Sequence, residues 1–151
     1  MGITSESPYL IIEAEIGRAV DPGPIGAGTR RFIPIKSGKI SGAIQGEIIP
    51  GGADWQTVHD DGNLQIDAHY AFRTTNGSFV EVTSSGVRAG APDVLRRLAA
   101  GETVSPAEYY FRTAMRFKTG ASELAFLNHR LYIARGERLP NRVRLEVFEV
   151  L

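Results

Sequence analysis

The sequence predicts an all-β fold: a mainly antiparallel closed β-barrel of about nine or ten strands with one short helix, in a single domain over residues 1–151. Three observations predict it. Apolar and polar residues alternate with period two along most of the chain, so each strand has one inward and one outward face. The alternating runs are joined by short turns rich in Gly, Pro, Asn and Asp, which favour antiparallel neighbours. Only one window has strong helical spacing. A sheet with that many strands curls or closes.

The elements follow in order. Tyr9 to Gly17 alternates Leu10, Ile12, Ala14 and Ile16 on one face with Ile11, Glu13 and Glu15 on the other, which reads as a first strand. Asp21 to Gly28, with two prolines and three glycines, reads as a loop. Thr29 to Ile35 and Lys39 to Ile49 read as two strands broken at Lys36-Ser37-Gly38, with Gly42 and Gly46 marking bulges or close backbone approach. Pro50-Gly51-Gly52 reads as a turn, Ala53 to His59 as a short strand, and Asp60-Asp61-Gly62-Asn63 as another turn.

Leu64 to Thr75 and Ser78 to Ser84 flank Asn76-Gly77, the signature of a two-residue type I′ hairpin. That loop sets Thr75 opposite Ser78, Arg73 opposite Val80 and Tyr70 opposite Thr83. Pro92 to Ala100 reads as the helix, with Pro92 and Asp93 in its first turn, Gly101 as its stop, and an apolar stripe of Val94, Leu95 and Leu98. Ser105 caps a single turn. Tyr110 to Thr119 is extended, Ser122 to Leu127 a short helical turn, and Leu131 to Ala134 and Val143 to Val150 closing strands.

Composition narrows the function. Seventeen Lys and Arg balance seventeen Asp and Glu, so no net charge draws the chain to nucleic acid or an anionic membrane. With no cysteine, disulfides, thiolate metal sites and Cys nucleophiles are excluded. The N-terminus has no signal-peptide pattern and no run reaches the ~18 apolar residues of a membrane span, so a cytoplasmic location is expected. The three histidines, His59, His69 and His129, lack the spacings that put two ligands on one face, so no metal site is expected. Gly23 to Thr29 is glycine-rich but lacks the Lys-Ser/Thr of a phosphate loop, and no Gly-x-Ser-x-Gly elbow occurs. No cofactor is implied.

The residues Gly46, Pro50-Gly51-Gly52-Ala53-Asp54-Trp55-Gln56, Asp61-Gly62, Asp67, Tyr70, Arg73-Thr74, Gly77, Gly86-Val87-Arg88, Tyr110-Phe111-Arg112-Thr113, Phe117 and Leu127-Asn128 run through most of the chain. In type and order they resemble the DUF3237 family, also called UPF0311, whose members are largely uncharacterised. The resemblance implies a small antiparallel barrel and a homo-oligomer, and it carries no agreed activity. The chain departs from the family pattern at His69, Glu81, Lys118 and Phe126, where the family favours arginine, tyrosine, glutamate and tryptophan.

Candidate chemistry centres on the Asn76-Gly77 hairpin. If the face carrying Asp67 and His69 points inward, the carboxylate can hold the imidazole in one tautomer for proton transfer. If it points outward, Tyr70 and Phe72 fill an apolar interior. Trp55 can stack on a planar ligand while Gln56 hydrogen-bonds it, or it can be core. Arg88 and Arg112 can clamp a carboxylate, with Tyr110 as a phenolic donor beside Arg112, or they can form structural ion pairs and cation–π contacts. Asn128-His129 suits a capping role better than chemistry.

Three functions compete. One is a binding barrel for a planar, aromatic or carboxylated small molecule. Another is a cofactor-free isomerase, cyclase or lyase using Asp67 and His69. The last is an oligomeric scaffold with a filled interior.

Overall fold

A computed structural model describes residues 2–151. Nine strands form one antiparallel sheet: β1 (Leu10–Ile16), β2 (Val20–Pro24), β3 (Thr29–Gly42), β4 (Gly46–Val58), β5 (Leu64–Thr74), β6 (Phe79–Gly90), β7 (Tyr109–Lys118), β8 (Tyr132–Leu139) and β9 (Arg142–Glu149). Their order is β1-β9-β8-β7-β6-β5-β4-β3-β2, and an additional β1–β3 pairing closes the ring. Eight strands therefore make a closed barrel, and β2 lies outside it on the first half of β3. One α-helix, α1 (Pro92–Ala99), and 3₁₀ turns at Pro106–Glu108 and Ser122–His129 complete the chain.

The expected fold class is what the structure shows, with differences in detail. The segment read as a loop after Asp21 contains β2, an exposed strand that pairs only with β3. Lys36-Ser37-Gly38 does not end a strand; β3 runs through it with a register shift between Ile35 and Lys39. On its other edge the same 14-residue strand serves two partners, β2 on its first half and β1 on its second. Pro50-Gly51-Gly52 is likewise a bulge inside β4, between Ile49 and Ala53. A bulge and a turn need the same residues locally, so composition does not tell them apart.

The β5–β6 hairpin corrects the expected register by one residue. Within the loop only Gly77 has positive φ, at 90°, and no non-Gly residue among the described residues does, whereas a type I′ turn needs both central residues there. The Gly77 N–H donates to Thr74 O, and the Thr74 N–H to Ser78 O, so the loop is three residues long. Arg73 then faces Phe79, Phe72 faces Val80, and Tyr70 faces Val82.

Helix α1 follows the expected signals: Pro92 in the first turn, buried Val94, Leu95 and Leu98, and Gly101 at φ 82° after its end. No helix of the described residues is long and apolar enough to cross a membrane.

The interior divides into two halves. One half is packed solid. Phe72, Phe117 and Tyr132 are at most 2% exposed and meet edge-on, with ring centroids 6.4 and 5.0 Å apart. Leu10, Ile40, Val80 and Val147 fill the gaps between them, and Leu127 of the second 3₁₀ turn joins the same core. The other half, toward the Arg88 end of β6, holds a cavity.

Tight strand approach holds this wall in place. A Cβ on Gly86 would lie 2.7 Å from the Thr113 Cα and closer still to the Arg112 carbonyl oxygen, and neither backbone atom can step aside. Gly86→Ala is therefore expected to destabilise the barrel by about 1–3 kcal/mol, measured by denaturant unfolding; a cost below measurement error would show that β6 and β7 can part freely here.

Candidate functional site

The cavity is lined by every one of the eight barrel strands. Its wall is mostly apolar, with Ile33, Ile35, Ile66, Phe111 and Leu145, while Asp54, Gln56, Tyr70, Ser84, Arg88, Thr113 and Arg138 place polar groups in it. It spans about 600 Å³ of space between atoms, solvent-facing mouth included, and its enclosed part is narrow.

Strand alternation places these groups. On β4, Asp54 and Gln56 are two residues apart and point inward, so Trp55 between them points out. A hydrogen-bond chain fixes their orientation. Arg31 Nε donates to Gln56 Oε1 at 2.7 Å, and Gln56 Nε2 donates to Asp54 Oδ2 at 2.6 Å. The amide thus turns its oxygen to the cation and its NH₂ to the carboxylate, as charge requires. The second carboxylate oxygen, Oδ1, accepts the Asp67 backbone N–H at 3.0 Å. Burial nevertheless raises the Asp54 carboxyl above its ordinary pKa, outweighing these two hydrogen bonds and the attraction of Arg31 and Arg88.

Arg88 is the other buried charge. Its residue is 6% exposed and its Nε–H has no partner in the protein. Burial first, then the nearby Arg138 and Arg31 guanidiniums, lowers its pKa to about 10, with Tyr109 and Asp54 acting in the opposite direction. Arg88 therefore remains cationic at neutral pH.

Arg138, toward the end of β8, donates from Nη1 to Leu139 O and to Pro140 O, the latter at 3.2 Å. Its backbone N–H donates to the Tyr109 hydroxyl at 2.9 Å, which ties β7 to β8 beside the cavity. Among the described residues, every ion pair within 4.0 Å lies elsewhere, so no carboxylate directly neutralises Arg31, Arg88 or Arg138. Tyr70 points inward, and burial followed by the Asp54 charge raises its phenol. The Thr113 hydroxyl, also buried, has no partner in the protein.

Of the residues singled out in the sequence, Gln56 and Arg88 line this cavity. Asp67 and His69 lie on the exposed outer face of β5, and His69 Nε2 is 2.6 Å from Glu81 Oε2. The reason is alternation: Leu64, Ile66, Ala68, Tyr70 and Phe72 of β5 are buried, so the residues between them face out. Trp55 is 42% exposed, with its ring 4.7 Å from Phe32 and the Arg30 guanidinium 5.7 Å above it. Tyr110 is exposed beneath the Arg112 guanidinium at 5.1 Å, so these two form a cation–π pair on the outer wall. None of Asp67, His69, Trp55 and Arg112 lines the cavity, and the interior is not wholly filled either.

Asp54, Tyr70, Thr113, Arg31 and Arg138 were not singled out for the cavity. Parity would have found three of them. Asp54 shares it with Gln56, Thr113 with Phe111 and Met115, and Tyr70 with Ile66 and Ala68, whereas Arg138 lies beyond the strand read over Leu131 to Ala134. The departures from the family pattern stand outside: His69, Lys118 and Phe126 are exposed, Glu81 is half-buried, and Glu81 is the ladder partner of Lys118. No group of three or more His, Asp or Glu among the described residues is placed to hold a metal ion.

Comparison with known proteins gives a consistent relationship. Residues 5–150 match the family described as "Protein of unknown function (DUF3237)". The chain is 38% identical over 149 residues to the UPF0311 protein blr7842 of Bradyrhizobium diazoefficiens, covering 98% of each. It superposes on the crystal structure of the conserved protein RPA1785 of Rhodopseudomonas palustris with a TM-score of 0.92 at 36% identity, covering 100% of this chain and 99% of that one. A crystal structure titled as an enzyme from Penicillium herquei matches with a TM-score of 0.68 at 21% identity over all of both chains, a likeness of fold alone.

The raised Asp54 pKa gives a sign for pH dependence. Below the ordinary carboxylate pKa, Asp54 is protonated in folded and unfolded chains alike. As pH climbs through that value and then through the raised folded one, ionisation costs more inside the barrel, so its contribution to stability falls. Carboxyl ¹³C NMR is expected to place the Asp54 midpoint above 3.8; a midpoint at or below that value would refute the burial argument.

Proposed function

This chain belongs to the DUF3237 family, and we propose that it is a small-molecule-binding barrel whose ligand, planar and aromatic or carboxylated, enters the cavity at the Arg88 end. One observation carries the reading: an apolar cavity contains convergent polar groups that the protein's own contacts leave partly unused. The packed half shows that the same barrel can fill itself with Phe, Tyr and Ile, leaving one hydroxyl, that of Tyr132, without a partner, whereas the cavity gathers several polar groups around open space.

Binding here is tested by narrowing the cavity. Ala68 lines it and is 7% exposed, so Ala68→Leu adds side-chain volume at the wall. Native mass spectrometry of the wild-type protein is expected to reveal a co-purified small molecule that the Ala68→Leu protein lacks, while both remain folded by circular dichroism. An adduct retained unchanged in the variant would place the ligand outside the cavity and end this reading.

A second reading, a cofactor-free isomerase, cyclase or lyase, has one observation in its favour. Asp54 is a carboxylate set in the cavity wall, both oxygens are hydrogen-bonded, and burial raises its pKa above the ordinary carboxylate value. In this reading Asp54 moves the proton. Once a turned-over substrate is in hand, Asp54→Asn is expected to cut kcat by roughly 10²–10⁴ with affinity near wild type. Turnover that survives the change would rule out Asp54 as the base.

A further inference from the structure

We propose that the cavity receives a small organic monocarboxylate, its carboxylate seated on Arg88 beside Thr113 and its apolar body laid along Ile33, Ile66 and Phe111; this rests on the cavity being the ligand site. Four observations lead there.

Arg88 is 6% exposed and lines the cavity, yet its Nε–H meets no acceptor in the protein. Thr113 is 5% exposed, lines the same cavity and has a hydroxyl equally without a partner. The two are neighbours across the β6–β7 ladder: Arg88 pairs with Phe111, and Thr113 stands two residues further along the same inner face. Finally, Arg138 lines the cavity as well, so two guanidiniums and the single carboxylate of Asp54 stand in its wall, with Arg31 holding Gln56 there from behind.

The chemistry of these groups selects the class of anion. The Nε and Nη hydrogens of one guanidinium form a planar fork that matches the two oxygens of a carboxylate. A hydroxyl beside that fork can donate a third hydrogen bond. A second negative charge is disfavoured because moving a dianion from water into a largely apolar cavity costs more than moving a monoanion. The narrow enclosed space limits the body to a single small ring or short branched chain.

The test uses benzoate, its neutral isostere benzamide, the dianion of phenylphosphonate, and acetate as a minimal carboxylate. All are titrated into the full chain by calorimetry, with the Arg88 ¹⁵Nε–¹H resonance followed by NMR. Benzoate is expected to bind roughly tenfold or more tightly than benzamide, as a charge-assisted hydrogen bond implies, and to shift the Arg88 Nε resonance. It is also expected to bind more tightly than phenylphosphonate. In Arg88→Gln the preference over benzamide is expected to disappear. Arg88→Lys, which keeps the charge and loses the fork, is expected to weaken it, and serves should the glutamine variant fail to fold.

Several results would overturn the proposal. Benzoate and benzamide binding alike in the cavity would remove the carboxylate claim while leaving the cavity reading intact. Phenylphosphonate binding as well as benzoate would remove the monoanion claim. Benzoate binding that is indifferent to Ala68→Leu and leaves the Arg88 resonance in place would defeat the cavity reading as well. Binding of none of the probes, acetate included, would equally overturn it.

Discussion

Closure of the sheet through β1 and β3 is the constraint on which the rest of this structure depends. Without the β1–β3 pairing, from Leu10 opposite Gly42 to Ile16 opposite Ile35, the sheet would have open edges at β1 and β2. Closure satisfies the backbone of β1 on both sides, because β9 pairs with its other edge. It also creates an inside. Eight inward faces converge on one axis, so residues far apart in sequence, such as Asp54, Arg88 and Arg138, become neighbours. β3 makes closure possible by its length: its first half pairs with β2 and its second with β1, and a shift against β1 between Ile35 and Ser37 marks the change of partner.

Within that tube the two halves divide the work. The packed half buries Phe72, Phe117, Tyr132 and a ring of aliphatic side chains, and it needs no polar group beyond the Tyr132 hydroxyl. Such a core is the main source of stability, since a single buried aromatic contributes a few kcal/mol (about 3–5 on truncation to alanine). The polar half works against folding. It removes three guanidiniums and a carboxylate from water to varying degrees, without a direct ion pair among them. Groups so placed lower stability unless something else satisfies them. A chain that keeps both halves uses the first to hold the second in position. That is a common relation between a rigid scaffold and a polar site that costs stability.

Much of the fold was legible in the sequence, because period-two alternation reports directly on strands that have one wet and one dry face. β7 is the clearest case: Tyr109, Phe111, Thr113, Met115 and Phe117 are buried and every residue between them is exposed. What escaped depends on pairing, which alternation does not encode. Pro50-Gly51-Gly52 reads as a turn, but β4 passes through it because β3 and β5 hold it on both sides. Asn76-Gly77 suggested a two-residue loop, and the actual three-residue loop moves every partner by one. The site was half legible for the same reason. Gln56 and Arg88 were visible as unusual residues. Asp54 stood in the same motif but drew less notice than Trp55, although only one of two adjacent strand residues can face inward.

The outer wall shows why residue type misled where parity did not. Trp55 with Arg30, Tyr110 with Arg112, and Phe148 with Arg135 form three cation–π pairs, each of a kind common at ligand sites. On an exposed strand such a pair covers apolar ring surface with a guanidinium that stays in water, which suffices to explain it. The inward arginines are different in kind. Arg88 has no aromatic face beneath it and no ion-pair partner among the described residues; burial, then two further cations, depresses its pKa against the weaker pull of Tyr109 and Asp54. Charge that is stacked and wet needs no ligand to account for it. Charge that is buried, unpaired and close to like charge is not explained in that way, which is why the proposal rests on Arg88 and not on the more conspicuous tryptophan.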